Sequence, residues 1–243
     1  MKKSRFDVSL VTGASSGIGR SLSIELGKTS SLVYLIGRNK KELAITAEMM
    51  SCASEVVVAD LSTQVGLTKV VELTNNVDID LLVNNAGFGS GGYFHERRIE
   101  KEMSLINTNV NAVVELTHSY INQSIRSERK GVILNVGSVV SFFPRPSNTT
   151  YAASKAFIKS FTDSLNRKYK DYGILVSCLY PGLTFTNFFE DPDSLRKHTI
   201  LGQEPEHVAK VAIKGLKKNK RVIIPGFKNK IIIFLGKYLY KYF

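Results

Sequence analysis

The sequence predicts an α/β protein built as one doubly wound parallel sheet of seven strands with helices on both faces. Three observations point there. Short β-branched apolar runs alternate with longer segments of helical period, the pattern of successive βα units. The runs are mostly continuous in apolar character, as strands buried on both faces are. No internal repeat or Pro/Ser-rich linker divides the 243 residues, a length suited to one large domain with its own core.

The elements follow in order. Val8–Val11 is the first strand and runs through a glycine-rich loop into a helical segment, Ile18–Thr29. Leu32–Ile36 is the second strand and Lys40–Met50 the helix behind it. Glu55–Ala59 and Leu81–Val83 are the third and fourth strands, and one long helix is expected over Arg97–Ile125. Val132–Val136, a helix over Thr149–Tyr172, Ile174–Leu179, a helix over Pro205–Lys217 and Val222–Ile224 complete the series. In such sheets ligands bind beyond the carboxyl ends of the strands, where the strand order reverses. The motifs that carry chemistry fall at those ends.

Composition narrows the setting. Cys52 and Cys178 are too few for a disulfide framework, and no Cys/His spacing suggests a metal site. The four histidines, His95, His118, His198 and His207, are scattered and none is assigned to catalysis. The basic start, Met1 to Arg5, is followed by an apolar run far too short for a signal peptide, so a cytoplasmic protein is expected. Formal charge is +12, and from His207 onward there are ten Lys/Arg and no Asp or Glu. Basic charge gathered at one end suggests a surface that meets anions.

The first strand leads into Thr12-Gly13-Ala14-Ser15-Ser16-Gly17-Ile18-Gly19 and then a helix. Glycines let backbone approach a pyrophosphate, and a helix N-terminus supplies unpaired N–H groups and partial positive charge. The spacing Gly-x3-Gly-x-Gly differs from the common G-x-G-x-x-G fingerprint and by itself also suits a turn or another phosphate site. The second strand ends in Ile36-Gly37-Arg38, where NAD-specific sites place a carboxylate for the ribose 2′-hydroxyl. Arg38 suits a 2′-phosphate instead, which a carboxylate would repel. NADP(H) is therefore the expected cofactor.

Tyr151 and Lys155 stand four apart in Tyr-Ala-Ala-Ser-Lys, on one face of a helix. A phenol titrates near ~10, and a neighbouring ammonium is expected to lower that value toward useful acid/base range. Ser138, thirteen residues earlier at the end of the fifth strand, offers a hydroxyl for a substrate carbonyl.

With these motifs in order, the chain resembles the short-chain dehydrogenase/reductase family over roughly Val8 to Asn187. The resemblance rests on Thr12–Gly19, Asp60, Asn84-Asn85-Ala86-Gly87, Asn109, Ser138, the Tyr151/Lys155 pair, and Pro181-Gly182 with Thr186. It implies a Rossmann-type catalytic domain over residues 1–226 and direct hydride transfer between NADPH and a carbonyl. By resemblance Tyr151 is the general acid, Ser138 polarises the carbonyl, and Lys155 holds the nicotinamide ribose. Asn109 positions a water that links Lys155 to solvent. The implied cofactor contacts are Gly13, Ser15, Ser16, Gly17, Ile18, Gly19, Arg38, Asp60, Leu61, Asn85, Ala86, Gly87, Tyr151, Lys155, Pro181, Gly182 and Thr186. Asp60 would meet the adenine, while Pro181, Gly182 and Thr186 would cradle the carboxamide. One departure concerns Ser16, since NADP-linked relatives often carry a second basic residue there. A homo-oligomer formed through the helices bearing Asn109 and Tyr151 is a family-based expectation.

Specificity is expected around Leu183–Gly202. Phe185, Phe188 and Phe189, with Phe142, Phe143 and Phe88 from other loops, suggest an apolar pocket for a lipophilic ketone or aldehyde. The rival reading is that these rings pack a lid. Residues 227–243 form a basic, apolar tail expected to be an amphipathic helix. It either lies on a membrane surface or docks on its own domain or a partner subunit; nucleic acid is not expected. A carbonyl reductase is the leading function, and a non-catalytic NADPH-binding scaffold is the alternative, disfavoured by the complete Asn109, Ser138, Tyr151 and Lys155 set.

Overall fold

The computed structural model describes residues 6–89, 91–186 and 202–239. Strands β1 (Val8–Thr12), β2 (Leu32–Gly37), β3 (Ala53–Val58), β4 (Leu81–Asn84), β5 (Gly131–Val136), β6 (Ile174–Leu179) and β7 (Val222–Ile223) form one sheet. Their order is β3-β2-β1-β4-β5-β6-β7, and every pairing is parallel. The order reverses between β1 and β4, which opens a crevice at their carboxyl ends.

Burial on both faces explains the continuous apolar runs. In β1, Leu10 faces one core and Val11 the other, because successive strand residues point to opposite faces. On the first side lie α1 (Gly17–Gly27), α2 (Lys40–Glu48) and α7 (Pro205–Lys217), which contribute Leu22, Leu26, Leu43, Val208, Ala212 and Leu216. On the other lie α3 (Gln64–Asn76) and α5 (Ala112–Arg126), with Leu67, Val70, Leu116 and Ile121. Each fully buried leucine or isoleucine contributes about 1.5–3 kcal/mol. α6 (Thr149–Tyr169) packs against β6 and carries the Tyr151/Lys155 pair.

The structure departs from the expected boundaries in places that bear on the site. Strand β3 begins two residues earlier than expected, and as an edge strand it leaves Val56 and Val58 exposed. Helix α3 was not among the anticipated segments. Its Val/Thr-rich sequence has weak helix propensity, so Thr63, which caps Gly66 N–H at 3.2 Å, and burial of Leu67 and Val70 hold it. The single helix expected over Arg97–Ile125 is α4 (Ile99–Ile106), a π-helical turn at Asn107–Asn111, and α5. Such turns admit an extra residue and recur at functional sites, and this one holds Asn109. The helix expected to reach Tyr172 ends at Tyr169, followed by a 3-10 turn that Gly173 stops at φ +73°. Residues Phe227–Leu239 form the last helix, α8, whose Asn229 and Ile233 are buried.

Candidate active site

The crevice is built first by the turn after β1. Gly13 and Gly17 adopt φ of +68° and +53°, a region that disfavours side chains. A Cβ on Gly19 would lie 2.1 Å from the Gly13 carbonyl oxygen, so the helix start packs directly on the loop. Ser16 is the N-cap of α1, yet its side chain caps nothing and the first turn has no acidic residue. The helix therefore presents uncapped N–H groups toward the crevice, an anion-binding arrangement. Ile18 is partly buried against the first core.

Neighbouring side chains fix this loop. Thr12 Oγ1 accepts from the N–H groups of Asn85 and Ala86, both at 3.0 Å. Asn85 Nδ2 donates to the carbonyls of Thr12 at 2.9 Å and Gly13 at 3.3 Å. The Asn85 amide thus clamps the turn after β1 to the end of β4. Arg20, which sequence reasoning passed over, donates to the Ser15 carbonyl at 2.5 Å, to Thr46 Oγ1 at 2.9 Å and to Glu42 Oε2 at 2.6 Å. Its signal was a charged residue directly behind Gly19 on a helix whose neighbours are buried.

Arg38 follows β2 and is 64% exposed, with its guanidinium 3.9 Å from Asp60 Oδ2. Asp60 lies beyond β3, and its other oxygen accepts from the N–H and hydroxyl of Ser62 at 2.9 and 2.8 Å. Leu61 is buried in the second core, so only its backbone remains for a ligand. The glycine cradle, the uncapped N-terminus and the cation at the rim together fit a nicotinamide dinucleotide.

The remaining residues gather around Gly87. A Cβ there would lie 2.9 Å from Asn109 Oδ1 and 3.6 Å from Lys155 Nζ. Asn109 is buried; its Nδ2 donates to the Phe88 carbonyl at 3.0 Å and to Ser154 Oγ at 3.2 Å, and its Oδ1 accepts from Phe88 N–H at 3.1 Å. Lys155 Nζ donates to the Val136 carbonyl at 2.8 Å and lies 5.7 Å from the centre of the Tyr151 ring. Ser138 stands two residues past β5 as the cap of a short 3-10 turn, Val139–Phe142, and, against the larger effect of burial, its hydroxyl acts on the Tyr151 phenol to lower its pKa. Beneath these groups, Asn84 Nδ2 donates to Asn135 Oδ1 at 2.9 Å and Asn135 Nδ2 to Thr162 Oγ1 at 2.9 Å, joining β4, β5 and α6.

Electrostatics corrects one expectation. Burial pushes the Tyr151 phenol up to about 12, opposed by the Ser138 hydrogen bond and the charge of Arg145. Lys155 does not bring it toward neutrality, because burial disfavours the ammonium and lowers it to about 8. Cys178 nearby is pushed up to about 11, also by burial. Tyr151 therefore keeps its proton at neutral pH.

After β6, the Pro181 carbonyl accepts from Val139 N–H at 2.9 Å and so holds the Ser138 turn. Thr186 closes across the crevice, its Cγ2 2.9 Å from where a Gly17 Cβ would stand. Gly182 is overlaid by Asn229, whose Oδ1 would lie 2.1 Å from a Cβ there. Asn229 Nδ2 donates to the Pro225 carbonyl at 2.7 Å and to Gln203 Oε1 at 3.0 Å. A lone amide in an otherwise apolar and basic tail was the available signal for this contact. Of the aromatic residues expected to wall a pocket, Phe142 packs on Tyr180 with ring centres 4.8 Å apart, and Phe143 packs beneath α8 at Gly236. Phe185 lies against Gly202, while Phe188, Phe189 and Asp191–Ser194 fall outside the described residues.

All of these groups converge at the carboxyl ends of the strands, where a dinucleotide can lie across the switch point and two hydroxyls can meet one substrate oxygen. Comparison with known proteins agrees. A family model described as short chain dehydrogenase matches residues 7–195, and the chain belongs to that family. An uncharacterized oxidoreductase of Staphylococcus epidermidis is 26% identical over 224 residues, covering 91% of this chain and 96% of that protein. The 17-beta-hydroxysteroid dehydrogenase type 3 of Rattus norvegicus is 33% identical over 179 residues, 71% of this chain but 58% of that enzyme. A short-chain dehydrogenase from Sphingobium yanoikuyae, solved in complex with NADPH, superposes with a TM-score of 0.84 at 27% identity, covering 96% and 93% of the two chains. The protein is an oxidoreductase of the kind that acts on CH–OH or C=O groups with a nicotinamide cofactor.

Proposed function

We propose that the protein is an NADPH-dependent reductase of a lipophilic ketone or aldehyde, with Tyr151 as the general acid. The observation that carries this reading is the convergence of Ser138, the Tyr151 phenol and the buried Lys155, whose Nζ lies 5.7 Å from the centre of the Tyr151 ring. Bound NADPH supplies the hydride. Ser138 orients the carbonyl oxygen and Tyr151 donates its proton to the oxygen that becomes the alcohol. Burial pushes the phenol up to about 12, so the proton it donates is in place at neutral pH.

Lys155 sits where it can hold the ribose and reload the phenol. With Asn109 it faces the space that Gly87 leaves free of a side chain, a route for a proton relay to solvent. Gly13, Ser15, Ser16, Gly17, Ile18 and Gly19 take the pyrophosphate, Asp60 and the Leu61 backbone take the adenine side, and Arg38 takes the 2′-phosphate. Asn85, Ala86 and Gly87 floor the cofactor site, while Pro181, Gly182 and Thr186 hold the carboxamide. The Arg38–Asp60 approach of 3.9 Å leaves the guanidinium mostly in solvent, available for a phosphate.

The lipophilic substrate class is supported by likeness to a hydroxysteroid dehydrogenase. A cytoplasmic protein, self-associated through the helices that bear Asn109 and Tyr151, belongs to the same reading; on α6, Phe157 stacks on Phe161 and is 39% exposed. The test is consumption of NADPH and of NADH with a panel of steroid ketones, long-chain aldehydes and small hydrophilic carbonyls. Preference for NADPH and for the apolar members is expected. Turnover confined to small hydrophilic carbonyls would remove the substrate assignment.

A further inference from the structure

The two faces of α8 have different surroundings. At about 100° per residue, Asn229, Ile233 and Gly236 share one face. Asn229 and Ile233 are buried, Asn229 against Gly182 and Ile233 in a cluster with Val139, Val140 and Ala152, on which Tyr151 also packs. The opposite face holds Phe227, Ile231, Phe234 and Leu235 within an arc of about 100°. These four are 74%, 42%, 60% and 49% exposed. Lys228 and Lys230, both exposed, fall at the two edges of that arc.

A helix on a protein surface ordinarily turns its apolar stripe inward. Here the inward face is already occupied and anchored, and a second apolar stripe points out. Lysines on both edges can lay their methylene stems along it while their ammonium groups rise to headgroup level. Charge selects the occupant. Lys228 and Lys230 edge the stripe and no Asp or Glu follows His207, so a second copy packed face to face on this helix would set these lysines against their own counterparts. An anionic lipid surface supplies the opposite charge together with an apolar layer for the rings. No helix among the described residues is long and apolar enough to cross a membrane, so the contact is one of lying on the surface.

We propose that the outward face of α8 docks the protein on an anionic lipid surface, with Phe227, Ile231, Phe234 and Leu235 at the acyl boundary and Lys228 and Lys230 among the headgroups. The same helix covers Gly182 and packs on the cluster holding Tyr151, so docking places lipid one helix away from the candidate active site. The inference goes beyond the proposed reaction and is read without turnover.

The experiment is co-sedimentation of the full chain with vesicles of phosphatidylcholine containing phosphatidylserine, and with phosphatidylcholine alone. The wild type pellets with the anionic vesicles and is released by salt. Lys228→Gln with Lys230→Gln weakens binding by about 30-fold, since each lysine near such a surface is worth about 5-fold. Phe227→Ser, Ile231→Ser and Leu235→Ser combined leaves the protein in the supernatant while thermal melting, read by circular dichroism, stays as in the wild type. The proposal is overturned if the wild type stays in the supernatant with anionic vesicles, or if the triple serine variant still pellets. It is also overturned if, without lipid, that variant has a smaller mass by light scattering, which would make the face a subunit contact.

Discussion

Asn109→Leu is the sharpest test of how the site is held together. Leucine keeps roughly the volume of asparagine but removes the amide. Asn109 makes three hydrogen bonds, two with the backbone of Phe88 and one with Ser154. Ser154 is not orphaned, because its hydroxyl donates to the Tyr151 carbonyl at 2.7 Å. The Phe88 N–H and C=O lose these partners beside Gly87. A buried polar group left without a partner costs about 1–3 kcal/mol, and Phe88 is half-buried, so about 2–3 kcal/mol for the two is expected. For a chain of this size 1 kcal/mol moves Tm by about 2–4 °C, which predicts a drop of about 5–10 °C. Circular dichroism melting measures the drop, and NADPH titration shows whether the loosened segment after β4 also weakens cofactor binding, as expected. A Tm within about 1 °C of wild type would refute the claim that Asn109 pins residue 88.

Three further outcomes follow from the geometry. Gly19→Ala forces a Cβ to 2.1 Å from the Gly13 carbonyl oxygen and 2.4 Å from Asn85 Nδ2, so NADPH binding by calorimetry should be lost; retained affinity would show that the loop can shift. Arg38→Asp exchanges a charge-assisted contact for repulsion, and the ratio of kcat/KM with NADPH to that with NADH should fall by at least about 10-fold, from about 1.5–3 kcal/mol; an unchanged ratio would place the 2′-phosphate elsewhere. Lys155 is lowered from 10.5 to about 8 by burial, so between these values the unfolded chain binds more protons and native stability rises with pH. Below about 8 the cost of the buried ammonium is present in full. Urea unfolding should therefore show the wild type gaining on the order of 3 kcal/mol relative to Lys155→Met as pH rises through that window, whereas parallel curves would contradict the buried charge.

Much of this arrangement was legible in the sequence because it rests on backbone constraints. Gly13, Gly17 and Gly19 are required where the chain turns left-handed or packs on itself, and the continuous runs at Val8–Val11 and Ile174–Leu179 mark strands buried on two sides. The Tyr151/Lys155 spacing placed both groups on one helix face, as found. Other features depend on contacts distant in sequence. The π turn at Asn107–Asn111 has no local signature, since Asn109 is drawn inward by Phe88 and Ser154. In the tail only the lone amide of Asn229 hints at its contact with Gly182, and no local pattern places Ile233 in the cluster beside Tyr151. The sign of the Tyr151 shift was misjudged because the motif shows a neighbouring ammonium but not burial, which dominates once the helix is packed. Phe142, expected as a pocket wall from its position after Ser138, also packs on Tyr180, a contact distant in sequence.

The central claim is that Tyr151 delivers a proton in carbonyl reduction, and comparing wild type with Tyr151→Phe tests it most directly. Both proteins should still bind NADPH by fluorescence titration, because the substitution removes one hydroxyl among many contacts expected for the cofactor. With an apolar ketone under saturating NADPH, the loss of cofactor absorbance should slow in the variant by about 10²–10⁴-fold, the range for a removed general acid. A variant that reduces the ketone at the wild-type rate would contradict the account.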